Sequence, residues 1–239
     1  MRKAVVGMVS FVLVAGLLAG CTASESPGVS AAPFPYGEGY VREYLFEKTD
    51  FTITYRMLFF EGLADPKDTS SHTATYTHTL DGGYYFYTLF DRPTLGGSGE
   101  YLFTLGAGTD EYDTYEGTAA SGFKKVPGVT VPQSVVDQAA VDVSGAMTSY
   151  LAYISPTDLP VVLVGTEKLL DKECDKFQRL RSDKASKTDD TWWIDQATGV
   201  VLKYEMVGEY TATGERYLHT VITATEFKTG SDVKLPEHD

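Results

Sequence analysis

The sequence predicts a mainly β domain of the α+β class, in which an antiparallel sheet packs on one main helix. Aromatic residues make up 13% of the 239 residues, with 16 Tyr and 12 Phe, and this favours strands around a buried interior. Most of the apolar runs alternate with a period of two, as strands do. One segment, residues 133–154, instead has apolar residues at the three- and four-residue intervals of a helix.

Residues 1–20 have the composition of a secretory signal peptide. Arg2 and Lys3 precede an uncharged apolar run that is too short to cross a bilayer as a permanent helix. The segment ends in Leu-Ala-Gly-Cys at residues 18–21, which resembles the lipobox of bacterial lipoproteins. The resemblance implies that Cys21 is the first mature residue and carries acyl chains such as palmitate. The alternative is an ordinary signal peptide or membrane helix with a chance cysteine.

Residues 21–39 are predicted to be the lipidated cysteine and a flexible linker, because Ser, Ala, Pro and Gly dominate there without hydrophobic periodicity. Two or three acyl chains on one residue hold a protein stably on a membrane. We therefore expect a lipid-anchored protein on the extracytoplasmic side of the cell membrane or the outer membrane. Its folded domain spans residues 40–230, and residues 231–239 form a tail.

Charge and cysteine content exclude several classes of protein. The formal net charge is −13, with 20 Lys and Arg against 33 Asp and Glu, so no cationic surface for nucleic acid is expected. Two cysteines exclude a disulfide framework and a multi-cysteine metal site. If Cys21 carries lipid, Cys174 has no partner within the chain. Cys174 is then a reactive thiol, an intermolecular link or a small buried apolar residue, and the absence of a neighbouring His or basic cluster favours burial.

The strands before the helix are predicted from alternation and turn residues. Residues 51–55 alternate as a half-buried strand, and residues 71–80 place four threonines on one face. Asp-Gly-Gly at 81–83 then closes a hairpin onto residues 84–90. Both faces of that third strand are apolar or aromatic, so we expect the core on one side and a helix or a ligand on the other.

Three more segments complete the amino-terminal half. A glycine-rich loop at 95–99 leads to a strand at 101–105, and the acidic residues 110–115 are expected to form an edge strand or a loop. Residues 124–132 are rich in turn-forming residues and are predicted to be a turn. The helix follows and ends before Pro156 and Pro160, which cannot continue it.

The strands after the helix form a meander in which sequence neighbours pair. They are predicted at residues 161–164, 174–181, 191–195, 200–207 and 217–227. The connection at 196–199 is a short turn with Gly199 at the position that needs a positive φ.

Two of these strand pairs carry a family resemblance. Residues 165–177 begin with Gly-Thr-Glu, and residues 191–205 contain the pattern W-I-D-x-x-T-G. This resembles the bacterial lipoprotein-carrier proteins of the LolA/LolB-like and RseB-like superfamily. The resemblance implies a curved antiparallel sheet that forms an unclosed barrel, with the main helix covering its concave face and an apolar cavity for acyl chains.

The candidate cavity lining combines sheet and helix residues. These are Phe86, Val143, Met147, Leu151 and Trp192. The same composition also fits an ordinary core, and for the three helix residues the core is the favoured interpretation. Trp192 and Trp193 are adjacent on a strand and point to opposite faces, so one is expected in the core and the other exposed or at a cavity rim.

Catalytic and metal sites find little support in the sequence. Residues 96–100 lack the second glycine of G-x-S-x-G and precede a strand. His72 and His78 lie on the order of 20 Å apart at strand rise, which is too far for one metal ion. His219 lies in the last strand and His238 in a tail that is expected to fray. Acidic groups occur at 110–116 and 171–175; the first lacks the order of a calcium loop and is interpreted as a solvated face.

Two functions therefore remain from the sequence. The first is a non-enzymatic, cofactor-free lipoprotein that is attached to the membrane through Cys21 and holds a lipid or other apolar ligand. The alternative is an envelope protein with a filled core that binds a protein partner as a sensor or regulatory scaffold.

Overall fold

The computed structural model describes residues 45, 47–61, 69–90, 98–106, 108–134 and 161–239. Over these residues eleven strands form one antiparallel sheet, which is curved and is not closed into a barrel. The strands are β1 Phe51–Glu61, β2 Thr69–Thr79, β3 Gly83–Phe90, β4 Gly99–Leu105, β5 Glu111–Thr118, β6 Gly122–Pro132, β7 Val162–Leu169, β8 Lys172–Ser182, β9 Ser186–Asp195, β10 Val201–Tyr210 and β11 Arg216–Thr229. The mainly β, antiparallel prediction is confirmed.

The strand order is β6-β5-β4-β3-β2-β1-β11-β10-β9-β8-β7, so each half of the chain forms its own meander. The halves join where β1 pairs with β11 in the middle of the sheet, from Phe51 opposite Thr229 to Glu61 opposite Leu218. One continuous sheet therefore carries side chains from both ends of the domain on the same face.

The predicted covering helix falls almost wholly outside the described residues. Gln133 and Ser134 have helical backbone, and the rest of residues 133–154 lies beyond the part that the structure describes. Across the described ranges, no helix has the length and hydrophobicity needed to cross a membrane.

The β9–β10 turn explains the W-I-D-x-x-T-G pattern in physical terms. The Asp195 carboxylate is 2% exposed and accepts a hydrogen bond from the Thr198 hydroxyl, which ties the two ends of the turn together. Gly199 has a φ of 73°, as predicted, and its N–H donates to the Asp195 carbonyl at 2.8 Å. The pattern therefore specifies a turn.

Residues 110–132 differ from the prediction. β5 is an inner strand, paired with both β4 and β6, and the expected turn at 124–132 is the edge strand β6. The turn-forming residues Pro127 and Gly128 lie in a register shift between Lys125 and Thr130, where Gly128 has a φ of 70°. Proline and a bulge are tolerated here because no further strand of the described sheet pairs with β6 beyond Pro127 and Gly128.

Two features of the second meander carry no strong sequence signal. β9 begins at Ser186, five residues before the predicted strand, through the polar stretch 186–190. The β7–β8 turn places Leu170 and Asp171 at φ 49° and 62°, in the left-handed region that glycine or asparagine usually fills.

The carboxyl-terminal segment, residues 230–239, lies across the sheet and does not fray as expected. The Phe123 N–H donates to the Glu237 carbonyl at 2.9 Å, and the Lys125 N–H donates to the Asp239 carbonyl at 3.0 Å. Leu235 packs on a small core formed by Tyr85, Leu102 and Phe123. The second side of β3 is thus covered by this segment, where a helix or a ligand was expected.

Candidate ligand-binding face

One face of the sheet, here called the apolar face, is defined by directly paired residues, since such pairs lie on the same side of an antiparallel sheet. Its register runs through Tyr204 opposite Ile222 and through Ile222 opposite Met57. Its apolar members include Phe51, Ile53, Tyr55, Met57, Ala74, Tyr76, Tyr84, Phe86, Phe103, Tyr112, Phe177, Trp192, Tyr204, Ile222 and Phe227. The face therefore extends over both meanders.

Ring contacts make the apolar face continuous over β1 to β5. The His78 ring lies between those of Phe51 and Tyr84 in tilted contacts, with centroid distances of 5.6 and 4.8 Å. Phe86 lies 6.1 Å from Tyr76 and 6.2 Å from Phe103. On the second meander, the Trp192 and Tyr204 rings lie 5.6 Å apart.

The opposite face is polar over much of its area. The hydroxyls of Thr52 and Thr77 lie 2.8 Å apart, and those of Thr54 and Thr75 lie 2.9 Å apart. Further along this face, a shallow groove of about 150 Å³ is lined by Lys187, Asp189, Val207, Glu209 and Arg216. Over residues 51–55 of β1 and 74–78 of β2, the apolar side chains thus lie on the apolar face and the threonines on the opposite one.

The structure brings two of the predicted cavity residues onto the apolar face. Phe86 is half-buried, and Trp192 is fully buried in the same core cluster. Val143, Met147 and Leu151, as well as Cys21, lie outside the described residues. Their contribution to a cavity or an anchor stays a prediction.

Trp193 corrects the expectation that one tryptophan is exposed or at a rim. Trp192 and Trp193 do point to opposite faces, yet Trp193 is only 4% exposed. The Lys176 and Lys203 ammonium groups cover its ring at 4.7 and 4.2 Å, and its indole N–H donates to Glu167 at 2.7 Å. Long charged side chains can bury an aromatic ring while their ends stay in water.

The apolar face contains a buried ion cluster that the sequence patterns do not predict. Asp190 Oδ2 lies 3.2 Å from Arg179 and 2.8 Å from Arg181, and Asp190 Oδ1 accepts a hydrogen bond from the Tyr204 hydroxyl at 2.9 Å. The Arg179 guanidinium also lies over the Trp192 ring at 5.3 Å. Burial lowers the pKa of Arg179; Asp190 opposes this shift, and Arg181 adds to it.

In the sequence, the feature that points to this cluster is the two-residue spacing of Arg179 and Arg181. That spacing places both on one face of a strand, but it does not reveal that β9 begins early enough to bring Asp190 opposite Arg179. Breaking a buried ion pair costs about 3–5 kcal/mol, so the cluster constrains the register of β8 and β9.

The remaining polar candidates have structural partners. Within the described ranges, no three His, Cys, Asp or Glu side chains come together as a metal site. Asp113 pairs with Lys125 at 2.6 Å, and Glu100 accepts from Tyr85 at 3.0 Å. Cys174 is completely buried, and burial raises its thiol pKa to about 12, in line with the small-apolar interpretation.

No family model and no curated protein match the sequence. Among solved structures, the MucA/MucB complex of Pseudomonas aeruginosa matches at 13% identity and a TM-score of 0.38, over 81% of this chain and 57% of the matched chain. The match thus covers little more than half the length of that chain.

Two further structures match over most of their own length. LprF from Mycobacterium bovis matches at 10% identity and a TM-score of 0.35, over 84% of this chain and 95% of the matched one. A LolA superfamily protein from Nitrosomonas europaea matches at 11% identity and a TM-score of 0.25, over 82% and 92%. The superfamily that the W-I-D-x-x-T-G hairpin resembles is therefore among the matches.

Proposed function

We propose that this protein is a non-enzymatic bacterial lipoprotein that is anchored through Cys21 and holds a lipid or another apolar ligand against the apolar face of its open sheet. The observation that carries the proposal is the unequal distribution of apolar side chains between the two faces. Aromatic rings line one face across both meanders, whereas threonines and charged residues occupy much of the other.

Openness of the sheet supports a binding role. The edges β6 and β7 lie at opposite ends of the strand order, so the curved sheet is not closed on itself. Phe86 and Phe103 in this face are only half-buried. Covering an apolar surface of this kind with acyl chains removes it from water and lowers the free energy of the system.

The leader supports a membrane location for that role. A basic start, an apolar run and the sequence Leu-Ala-Gly-Cys occur in the order that lipid attachment requires. A dedicated shuttle must leave the membrane, whereas an anchored protein receives, stores or senses its ligand in place.

The ligand is tested with the full chain expressed in a bacterium and purified from membranes. Organic extracts are analysed by mass spectrometry, and the intact protein is analysed by native mass spectrometry for bound mass. We expect stoichiometric lipid beyond the covalent anchor. A protein that carries no such mass and binds no apolar dye contradicts the ligand-holding role.

The anchor is tested separately by labelling cells with a clickable palmitate analogue. The full chain should take up the label, and Cys21→Ser should not. Cys174→Ser is the matched control, because it removes the other cysteine and should leave labelling intact. Equal labelling of both variants would contradict attachment at Cys21.

A second function, binding of an envelope protein partner, is favoured by the edge strand β7. Val162, Leu163 and Val164 are 37%, 54% and 48% exposed, and β7 is the last strand of the described sheet. An apolar edge strand is a template for strand addition by another chain. Crosslinking from these three positions in cells distinguishes this role, since a ligand-holding protein needs no partner there.

A further inference from the structure

The ion cluster around Asp190 contains more positive charges than negative ones. Two guanidinium groups, from Arg179 and Arg181, share a single carboxylate. The fourth member, the Tyr204 hydroxyl, is a neutral donor. The cluster therefore has an excess of one positive charge, in a protein whose formal net charge is −13.

Arg181 is the member of the cluster that a ligand can reach. The side chain of Asp190 is 0% exposed and that of Arg179 is 6% exposed, whereas that of Arg181 is 34% exposed. One terminal nitrogen of Arg181 lies 2.8 Å from Asp190, but its buried Nε has no hydrogen-bond acceptor among the described residues. A bound acceptor would satisfy this donor.

Two hydroxyls lie beside Arg181 on the same stretch of sheet. Thr188 is its direct partner in β9, and the Thr188 hydroxyl lies 3.4 Å from that of Tyr217. Hydroxyls donate to anionic oxygens, and a guanidinium presents a planar fork that matches a carboxylate or a phosphate. The local chemistry therefore suits an anion with two or more oxygens.

The position of this group relative to the aromatic rings is fixed by strand alternation. Phe177, Arg179 and Arg181 follow one another at two-residue steps on one face of β8, and Phe177 pairs directly with Trp192. Along the same face, the surface thus changes from aromatic to cationic over four residues. An amphiphile whose tail lies on the rings would place its head at Arg181.

We infer that Arg181 binds an anionic oxygen group, a carboxylate or a phosphate, and forms the head-group subsite of the apolar ligand. This inference rests on the proposed ligand-holding function. A free small anion offers the same oxygens, so the experiment must separate the two sources.

The test uses native mass spectrometry of the full chain released from dodecyl maltoside micelles. Dodecyl phosphate is the anionic probe, dodecyl maltoside is the neutral probe of equal chain length, and inorganic phosphate is the probe without a tail. We expect the wild-type chain to bind dodecyl phosphate about tenfold more tightly than dodecyl maltoside, as one charge-assisted contact implies.

Arg181→Gln should reduce that preference to within about twofold. Arg56→Gln is the matched control, since it makes the same charge change at an exposed position on the opposite face and should keep the preference. If Arg181→Gln does not fold, Arg181→Lys replaces it as the test variant. Because lysine has no Nε fork, it should lower the preference, and a lysine variant equal to wild type overturns the inference.

The outcomes separate this inference from the proposed function. Equal binding of the two dodecyl probes overturns the anionic subsite and leaves the ligand-holding role standing. Binding of inorganic phosphate alone, lost in Arg181→Gln, keeps the anion site but contradicts the apolar ligand. If none of the three probes binds, both are wrong.

Discussion

The Tyr55 hydroxyl donates a 2.9 Å hydrogen bond to the carbonyl of Val201, although the two residues are 146 positions apart in the chain. Tyr55 lies on β1 and Val201 begins β10, and β11 lies between these strands. The bond therefore ties the two meanders together on the apolar face beyond the ladder of the β1–β11 pair.

Tyr55→Phe should destabilise the protein by about 1–3 kcal/mol, because it removes a buried donor and leaves the Val201 carbonyl without it. Equilibrium unfolding in urea measures the change. Tyr101→Phe is the control. Tyr101 is 45% exposed, so removing its hydroxyl should leave the free energy of unfolding nearly unchanged. Equal stability of the two variants would show that the long-range bond contributes little.

Removal of residues 231–239 should expose the parts of β3 and β6 that this segment covers. The Phe123 and Lys125 amides donate to carbonyls of this segment, and Leu235 covers Tyr85. Hydrogen exchange of the two amides should rise strongly in the truncated chain, while the amide of Trp192 stays protected. Leu235→Ala should show the same effect more weakly, with roughly 1–2 kcal/mol lost because Leu235 is only half-buried. Unchanged exchange at Phe123 would contradict the docked position of the segment.

Acid should weaken the fold through His78. Burial lowers its pKa to about 4 from the ordinary 6.5, against the opposing charges of Asp50 and Asp81. Between these values the unfolded chain binds a proton that the folded protein does not, so stability is fully present above pH 6.5 and falls as the pH drops towards 4.

The expected loss is on the order of 3 kcal/mol, and the lowered pKa of His72 adds a loss of the same sign. His78→Phe keeps a ring between Phe51 and Tyr84 and should flatten the pH profile of urea unfolding. The exposed His238→Gln should leave the profile as it is. A wild-type profile that is flat from pH 7 to pH 4 contradicts the buried neutral imidazole.

Thiol labelling tests both cysteines in one measurement. Cys174 is completely buried with a pKa raised to about 12, so it should not react with maleimide until the protein unfolds. In guanidinium chloride the mature chain should take up one label if Cys21 carries lipid, and Cys174→Ala should take up none. Rapid labelling of the folded protein would make Cys174 a reactive thiol.

Local sequence signals predicted the strands, the hairpin turns and the antiparallel pairing, because alternation and turn chemistry act over a few residues. Gly199 at a positive φ is an example. Strand β6 was missed because Pro127 and Gly128 signal a turn, and only its position at the sheet edge makes them acceptable. The docking of residues 230–239 depends on distant strands, which no local pattern encodes.

The candidate site was predictable in composition but not in arrangement. The sequence predicts Phe86 and Trp192 as apolar strand residues, and both lie on the apolar face. The cluster of Arg179, Arg181 and Asp190 depends on the register of β8 against β9, which a turn of Asp183 to Ser186 sets. Register is a tertiary property, since one face must be buried before it is fixed.

The two tryptophans offer a direct test of which face holds the ligand. The chain contains two Trp residues, and Trp192 lies on the apolar face while Trp193 lies on the opposite face under Lys176 and Lys203. A fatty acid brominated along its chain quenches nearby indole fluorescence. Trp193→Phe leaves only the Trp192 signal, and Trp192→Phe leaves only the Trp193 signal.

We expect the brominated acid to quench Trp192 at concentrations that leave Trp193 unaffected, because the acyl chain lies on the aromatic rings of the apolar face. The unbrominated acid controls for changes in emission that binding alone produces, and far-ultraviolet circular dichroism confirms that both variants are folded. Stronger quenching of Trp193 would place the ligand on the polar side of the sheet. Quenching of neither residue would leave the apolar face as a filled core and favour the protein partner at β7.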